Sequence, residues 1–199
     1  MPVNDIRQLR MAAVILAAGQ GKRFGGPKAL ARLRGETFLG IIIRDLRTIA
    51  DDIVVVGGSE YEKIESECAR LGVRAVLNPD WPMGQFTSLK VGLSAFSNEC
   101  PGYFIILVDH PLVQPETYRM LKSNYLQNPN RIIVPIWGGK RGHPLIIPDF
   151  LKRQIIVSSG DTNLREILKN NNHQTLEVPV EDPGILKDID TIQDMEPFR

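Results

Sequence analysis

Short apolar runs rich in β-branched residues alternate with amphipathic stretches along the 199-residue chain. Runs of this kind are typical of buried strands. They comprise Ala13–Ala17, Ile53–Val56, Val73–Leu77, Tyr103–Val108, Arg131–Pro135 and Pro144–Ile147. Helices are predicted over Thr37–Ile49, Ser59–Leu71, Ser88–Ser97, Pro115–Leu126 and Asp161–Lys169. This alternation predicts an α/β fold of three layers, Rossmann-like, with helices on both faces of a mostly parallel sheet.

The second predicted helix, Ser59–Leu71, has the clearest pattern. Ser59 and Glu62 have the spacing of a capping box, and Ile64 and Cys68 fall on one apolar stripe. Cys68 is therefore expected to be a core thiol rather than a reactive one.

Composition excludes several classes of protein. The 24 Lys and Arg residues against 23 Asp and Glu residues give a formal net charge of +1, which argues against a nucleic-acid binder that relies on a positive field. Two cysteines, Cys68 and Cys100, exclude a disulfide scaffold and a four-cysteine zinc site. Three histidines disfavour a multi-histidine metal site. The longest apolar run, Met11–Ala18, falls far below the ~20 residues that span a bilayer.

This apolar run follows Arg7 and Arg10 and so resembles a short signal peptide. A first buried strand is the favoured interpretation, because the run is near the minimum length for a signal and a glycine-rich, basic segment follows it. We therefore expect a cytoplasmic protein, in which residues 1–10 form an N-terminal extension and residues 11–199 a single domain. Neither a nucleic acid nor a membrane is an expected partner.

Ligands of such sheets bind beyond the carboxyl ends of the strands, where residues 16–28 read L-A-A-G-Q-G-K-R-F-G-G-P-K. Four glycines within eight residues allow successive N–H groups to face an anion. Lys22, Arg23 and Lys28 add positive charge. The alternative is a surface turn with solvated charges.

Two other phosphate-binding loops fit this segment less well. It lacks the Gly-Lys-Ser/Thr of the NTPase P-loop. It also has Phe24 where the dinucleotide fingerprint has its third glycine. The second strand ends in Gly57-Gly58-Ser59, followed by Glu60, rather than in an acid for the ribose. A nicotinamide-dependent reductase is therefore disfavoured.

The string L-A-A-G-x-G-x-R-F-G-G-x-K resembles the signature loop of nucleotidyltransferases with the glycosyltransferase-A-like fold. That family transfers a nucleoside monophosphate from an NTP and releases pyrophosphate. The resemblance implies that the loop binds the nucleotide. The residues concerned are Leu16, Ala17, Ala18, Gly19, Gly21, Arg23 and Lys28.

Two acidic motifs are candidates for a metal site. The apolar run Tyr103–Val108 ends in D-H-P-L, and a carboxylate at the tip of a buried strand is costly unless it is paired or binds a metal. The alternative for Asp109 is a turn residue that caps the following loop. The resemblance identifies L-x-D-x-P-L as the family's Mg²⁺ motif, although His110 stands where the nearest subfamily usually has Gln.

The second acidic motif is D-I-D-T at residues 188–191. Extended alternation places Asp188 and Asp190 on one face, and Thr191 is predicted to cap a helix with Asp194 three residues on. The alternative is a solvated acidic turn. The resemblance implies that a second metal carboxylate comes from here, with Asp190 preferred to Asp188. Two carboxylates with phosphate oxygens and water suit Mg²⁺.

Three later motifs resemble the molybdenum cofactor cytidylyltransferase branch of the family: G-Q-x-x-S-L from Gly84, R-G-H-P from Arg141 and G-D-x-x-L-R from Gly160. The guanylyltransferase branch usually begins with Leu-Ala-Gly-Gly and lacks R-G-H-P. The resemblance implies that Gly84 and Ser88 hold the base and ribose. It places the acceptor at Lys140, Arg141, His143, Asp161 and Arg165.

Structural alternatives stand beside these assignments. Thr87 and Ser88 could be helix caps, Asp161 could be an N-cap, and His143 could order its own loop.

The implied reaction joins CMP from CTP to the terminal phosphate of molybdopterin. Lys28 would offset charge on the α-phosphate, Mg²⁺ on Asp109 and Asp190 would bridge triphosphate oxygens, and Arg23 with the amides of residues 19–25 would hold pyrophosphate. Lys28, Arg23 and Asp109 are thus the expected catalytic residues. Alternatives are GTP-dependent guanylyl transfer, a sugar or alditol phosphate acceptor, and a non-catalytic cofactor chaperone. A client molybdoenzyme is a possible partner.

Overall fold

The computed structural model describes residues 10–97, 100–159 and 162–198. Within these ranges an eight-stranded sheet carries helices on both faces, and a two-stranded hairpin lies beside it. The strands are β1 (Met11–Leu16), β2 (Arg32–Leu33), β3 (Glu36–Thr37), β4 (Asp52–Gly57), β5 (Arg74–Leu77), β6 (Gly102–Leu107), β7 (Ile132–Trp137), β8 (Lys140–Arg141), β9 (Leu145–Pro148) and β10 (Thr175–Pro179). The helices are α1 (Phe38–Leu46), α2 (Tyr61–Arg70), α3 (Gln85–Ser94), α4 (Pro115–Gln127), α5 (Asp149–Val157), α6 (Leu164–Asn170) and α7 (Ile192–Met195).

The main sheet runs in the order β10-β7-β9-β6-β1-β4-β5, with β8 paired to β7. Strand β1 is parallel to both β4 and β6, while β9 is antiparallel to β6 and β7. The predicted mostly parallel sheet is confirmed. Its central strand is β1, in which every residue is buried, so the apolar run near the N-terminus is a core strand.

The two faces of β1 bury alternate side chains, as the period of an extended strand requires. Ala13 and Ile15 belong to the core that α1 and α4 cover, and Ala12 and Val14 belong to the core beneath α3 and α5. Helix α3 approaches the sheet closely, because a Cβ on Gly92 would lie 2.4 Å from a methyl group of Val14.

Helix α2 differs from its prediction at the N-terminus. Its N-cap is Glu60, at φ +52°, without a side-chain cap hydrogen bond, so the predicted capping box of Ser59 and Glu62 is wrong. The amide of Ser59 donates to the carbonyl oxygen of Ala18 instead, which ties this residue to the end of β1. Cys68 is fully buried, and burial raises the pKa of its thiol to about 12. The prediction of a core thiol is confirmed.

Other segments also depart from the predicted elements. Helix α5 and strand β10 had no predicted counterpart. Helix α6 begins at Leu164, where the side chain of Asn163 accepts a hydrogen bond from the amide of Glu166. Asp161 and residues 1–9 of the predicted extension lie outside the described residues. Among the helices that the structure describes, none is both long and apolar enough to cross a membrane.

Candidate active site

A cavity of about 440 Å³ opens at the carboxyl ends of β1 and β6. This is the edge of the sheet at which ligands of parallel α/β folds bind. The cavity is lined by Leu16, Ala17, Ala18, Gly19, Gln20, Gly21, Lys22, Arg23, Lys28, Trp81, Gln85, Ser88, Val108, Asp109 and Asp190. The loop after β1 and both predicted acidic motifs therefore meet in one place.

The loop after β1 is organised around Gly21. Its carbonyl oxygen accepts hydrogen bonds from the amides of Phe24 and Gly25, both at 2.9 Å, and of Gly26 at 3.2 Å. Gly21 itself has φ +59°, and a Cβ there would lie 1.9 Å from the carbonyl oxygen of Gly26. The residue must therefore be glycine.

This turn reduces the number of backbone amides that are available to bind an anion. The amide of Gly25 is engaged by Gly21 and points into the turn. By contrast, among the described residues no amide from 19 to 23 donates to another backbone group, and all five residues line the cavity. Of the amides of residues 19–25 that were predicted to bind pyrophosphate, those of residues 19–23 are therefore available.

Lys28 joins the loop to both carboxylates. Its Nζ lies 3.1 Å from Oδ2 of Asp109 and also donates a hydrogen bond to Oδ1 of Asp190. The guanidinium of Arg23 lies 2.8 Å from Oδ2 of Asp190. The Lys28 side chain is only 15% exposed, whereas those of Asp109 and Asp190 are 25% and 28% exposed. Two cations and two carboxylates thus form one network at the wall of the cavity.

The charges in this network support one another. Burial by itself lowers the pKa of Lys28, but hydrogen bonds and attraction from Asp190 and Asp109 outweigh it, and the pKa lies above its usual value. The hydrogen bond from Lys28 in turn lowers the pKa of Asp190. Both groups are therefore charged at neutral pH.

The two carboxylates fit a divalent cation that brings further ligands with it. Oδ1 of Asp109 is buried without a hydrogen-bond partner, so one carboxylate oxygen is left to a ligand. Lys28 shows that Asp109 and Asp190 are close enough to share one cationic group. No cluster of three or more His, Cys, Asp or Glu side chains in the described ranges could hold a metal alone. Mg²⁺ suits such a site because it keeps water and takes substrate phosphate oxygens as ligands.

Asp188 and Asp190 differ in position although only one residue separates them. Asp190 lines the cavity, whereas Asp188 is exposed and does not line it. Between them, Ile189 is buried, and its amide donates to the carbonyl oxygen of Asp109 at 2.8 Å. The predicted helix cap is confirmed, because Thr191 and Asp194 form a capping box at the start of α7.

A pair of histidines lies behind Asp109 and was not anticipated from the sequence. The rings of His110 and His143 are 5.5 Å apart, and Nδ1 of each is buried without a partner. Burial lowers the pKa of both, that of His143 to about 4. Both imidazoles are therefore neutral at pH 7 and add no charge beside the carboxylates.

The segment that carries Asp190 is anchored by a buried carboxylate that sequence reasoning missed. Asp182 is 2% exposed and accepts hydrogen bonds from the amide of Gln114, the hydroxyl of Thr117 and the amide of Gly184, at 2.9, 2.6 and 2.8 Å. A further bond runs from the amide of His143 to the carbonyl oxygen of Ile185 at 2.9 Å. The only sequence signal was the turn composition of Asp182-Pro183-Gly184.

The wall formed by α3 contains Gln85 and Ser88. Helix α3 begins at Gln85, with Gly84 as its N-cap, so Thr87 and Ser88 lie inside the helix and the helix-cap alternative is wrong. Asn78 is fully buried and donates to both hydroxyls at 2.9 Å. The Ser88 hydroxyl proton therefore stays available for a ligand. Gly84 does not line the cavity.

Most of the predicted acceptor residues lie away from the cavity wall. Lys140 and Arg141 form the exposed strand β8, and Arg141 contacts Glu177 at 2.6 Å and Asn172 at 2.8 Å. Arg165 is exposed on α6. Of the acceptor residues that the structure describes, only His143 packs behind Asp109, through His110. The acceptor roles stay predictions.

Comparison with known proteins places this site in a family. A model of the MobA-like NTP transferase domain matches residues 13–178. The molybdenum cofactor cytidylyltransferase of Escherichia coli is 28% identical over 183 residues, 91% of each chain. The nicotine blue oxidoreductase of Paenarthrobacter nicotinovorans is 30% identical over 199 residues, 93% of this chain and 94% of its own. A probable molybdenum cofactor guanylyltransferase of a Geobacillus species is 30% identical over 69% of this chain and 68% of its own.

Solved structures share the fold. Rv0371c of Mycobacterium tuberculosis superposes with a TM-score of 0.79 at 25% identity, covering 94% of this chain and 97% of its own. A nucleotidyl transferase from Methanothermobacter has the same TM-score at 22% identity and covers 96% of both chains. The glycosyltransferase-A-like fold expected from the loop after β1 is confirmed.

Proposed function

The chain belongs to the family of MobA-like NTP transferase domains, and we propose that it transfers CMP from CTP to the terminal phosphate of a molybdopterin cofactor. The observation that carries the proposal is the bridge from Lys28 to Asp109 and Asp190 beside the free amides of residues 19–23. Cations and free amides that meet paired carboxylates suit a metal-bound triphosphate. The cytidylyltransferase relative matches nearly the whole chain, whereas the guanylyltransferase relative matches about two thirds of it, which favours cytidylyl transfer.

The reaction needs positioning and charge neutralisation more than acid–base chemistry. An oxygen of the acceptor phosphate attacks the α-phosphorus of CTP, a new P–O bond forms, and the bond to the bridging oxygen breaks with its electron pair going to pyrophosphate. The nucleophile is already anionic at neutral pH, so no residue has to remove a proton. Catalysis then depends on donors and cations placed where charge develops.

The residues of the cavity divide this work. Lys28 offsets the charge that develops at the α-phosphate. Arg23 and the amides of residues 19–23 hold the leaving pyrophosphate, while the hydroxyl of Ser88 donates a hydrogen bond to the nucleoside. Asp109 and Asp190 would hold Mg²⁺, which when bound neutralises triphosphate oxygens. His110 and His143 stay neutral and add no charge behind Asp109.

A pyrophosphate-release assay tests the proposal. CTP, GTP and UTP would each be offered with Mg²⁺ and with molybdopterin cofactor, a sugar phosphate or an alditol phosphate. We expect release only with molybdopterin cofactor, and fastest with CTP. Pyrophosphate release with another combination of NTP and acceptor identifies a different transferase of the same family. Tight binding of the cofactor without pyrophosphate release identifies the chaperone alternative.

The oxidoreductase relative supplies a second activity to measure. The activity in the name of this relative belongs to the relative. Because the relative matches nearly the whole of this chain, NAD(P)H oxidation should be measured in the same set of assays. Strand β4 ends in Gly57 rather than in an acid, and Phe24 stands where the dinucleotide loop has its third glycine, and both features argue against a dinucleotide. We expect no saturable binding of NADH or NADPH.

A further inference from the structure

The cavity is divided into a charged half and an uncharged half by strand β1. Asp109 follows β6 on one side of β1, where it meets Lys28 and Asp190. Trp81 lies against Gly58, directly after β4, on the other side of β1. Because two inter-strand spacings separate β6 from β4, the ends of these two strands, which carry Asp109 and Gly58, lie about 10 Å apart. Phosphates belong in the charged half, which leaves the other half to the rest of a ligand.

The uncharged half has an aromatic wall. Trp81 lines the cavity together with Gln85 and Ser88, and none of these three side chains is charged. The indole packs on backbone at Gly58, where an added Cβ would lie 2.5 Å from its Cγ. Trp81 is partly exposed. An indole that lines a cavity offers a planar apolar surface to a planar ligand.

The turn that carries Trp81 is fixed at both ends. The side chain of Asn78 accepts from the amide of Asp80 at 3.0 Å and donates to Thr87 at 2.9 Å. The Thr87 hydroxyl lies 3.0 Å from the carbonyl oxygen of Asp80 and 2.8 Å from that of Gly84. The amide of Gly84 also donates to the carbonyl oxygen of Trp81 at 3.1 Å. The indole is therefore held in place before a ligand arrives, which reduces the entropic cost of binding.

We infer that Trp81 is an affinity-determining residue of this site and that its indole packs against the nucleobase of the bound nucleotide. The inference rests on the proposed function only in taking a nucleotide as the ligand. Stacking of a base on an aromatic side chain is tolerant of base identity, so Trp81 contributes to binding of every NTP. Choice among bases is left to polar contacts.

Fluorescence tests the contact directly. The chain has two tryptophans, and Trp137 is 40% exposed at the end of β7, outside the cavity lining. The Trp137→Phe variant therefore reports on Trp81 alone. We expect CTP to quench its emission saturably, and inorganic tripolyphosphate, which has no base, to leave the emission nearly unchanged. CTP binding measured by calorimetry without any change in Trp81 emission would overturn the inference.

Substitution tests the contribution to affinity. Trp81→Ala is expected to raise the Kd for CTP about ten- to a hundredfold and to leave the Kd for tripolyphosphate unchanged. Trp81→Phe keeps an aromatic face and should recover most of the affinity. Met83→Ala is the matched control, because Met83 lies in the same turn, is 79% exposed and does not line the cavity. An unchanged CTP affinity in Trp81→Ala contradicts the inference, as does an equal loss for CTP and tripolyphosphate.

The same measurements separate this inference from the proposed function. If CTP quenches Trp81 but no CMP is transferred, the nucleobase contact stands and the proposed reaction fails. If pyrophosphate is released while Trp81→Ala binds CTP normally, the reaction stands and the contact fails. Should Trp81→Ala not fold, the emission of the Trp137→Phe variant still decides the question.

Discussion

The ammonium group of Lys28 is hydrogen-bonded to the carboxylate of Asp190, 162 positions later in the chain, and lies 3.1 Å from Asp109. One cation therefore joins the loop after β1, the end of β6 and the C-terminal segment. Phosphate oxygens compete with carboxylates for the same cation. We expect Lys28 to exchange part of this contact for phosphate when a nucleotide binds.

Removing either side of this contact should slow the reaction without unfolding the protein. We expect Lys28→Ala and Asp109→Ala each to lower the turnover number by ~10²–10³, the usual cost of one electrostatic contact to a transition state. Steady-state pyrophosphate release measures the rate, and circular dichroism checks the fold. The control is Lys63→Ala, since Lys63 is exposed on α2 and paired with Glu60. Near-normal turnover in either site variant excludes the assigned roles.

Asp190 and Asp188 should differ in their effect on Mg²⁺ dependence. Asp190 lines the cavity beside Lys28, whereas Asp188 is exposed outside it. We expect Asp190→Asn to raise the Mg²⁺ concentration needed for half-maximal activity at least tenfold, because a metal ligand loses its charge. Asp188→Asn should change it less than about threefold. A Mg²⁺ titration of both variants decides between them, and the reverse ranking would make Asp188 the ligand.

Local sequence patterns predicted the central part of the fold well. Residues Met11–Leu16 form an uninterrupted apolar run because β1 is covered on both faces, and such burial is visible in the sequence. Helix α5 was missed because Asp149 follows β9 directly, with no loop to separate two apolar patterns. Strand β10 was missed because it lies at the edge of the sheet and is only partly buried.

The candidate site was predictable where it is local in the sequence. The loop after β1 bears its glycines and cations within a few residues, so its chemistry could be inferred directly. The contact of Asp182 with Thr117 and the pairing of His110 with His143 depend on chain segments far apart in sequence. No periodicity or spacing encodes them. Trp81 likewise acquires its position only because Gly58 has no side chain to exclude the indole.

Gly21 should be the least replaceable glycine of the loop after β1. Gly21→Ala places a Cβ 1.9 Å from the carbonyl oxygen of Gly26 at φ +59°, so the turn has to open. We expect a loss of about 2 kcal/mol or more in the free energy of unfolding, which lowers the melting temperature by about 4–8 °C, and weaker nucleotide binding. Thermal unfolding and a CTP titration measure the two effects.

Gly26→Ala is the matched control for that variant. A Cβ on Gly26 would meet nothing within 4 Å, and its φ lies outside the left-handed region. We expect a melting temperature within about 2 °C of the wild type. Equal effects of the two substitutions would mean that the turn around Gly21 does not form as described.

Asp182 should be essential for holding the C-terminal segment in place. Asp182→Ala leaves three donors without their acceptor: the buried hydroxyl of Thr117, the buried amide of Gly184 and the partly buried amide of Gln114. An unsatisfied buried donor costs about 1–3 kcal/mol. We expect a net loss of roughly 3 kcal/mol in the free energy of unfolding, which is about 6–12 °C in melting temperature for a chain of this length. Urea and thermal unfolding both measure it.

Two further variants separate the anchoring role of Asp182 from a general effect of charge. Glu181→Ala removes the same charge from the exposed neighbouring residue and should leave the stability nearly unchanged. Asp182→Asn keeps one acceptor oxygen and should be intermediate. Because the segment from Asp182 leads to Asp190, surviving Asp182→Asn enzyme should also need more Mg²⁺ for half-maximal activity. An Asp182→Ala protein as stable as Glu181→Ala would show that the segment is held by packing against Leu112 and Gly142 rather than by the buried carboxylate.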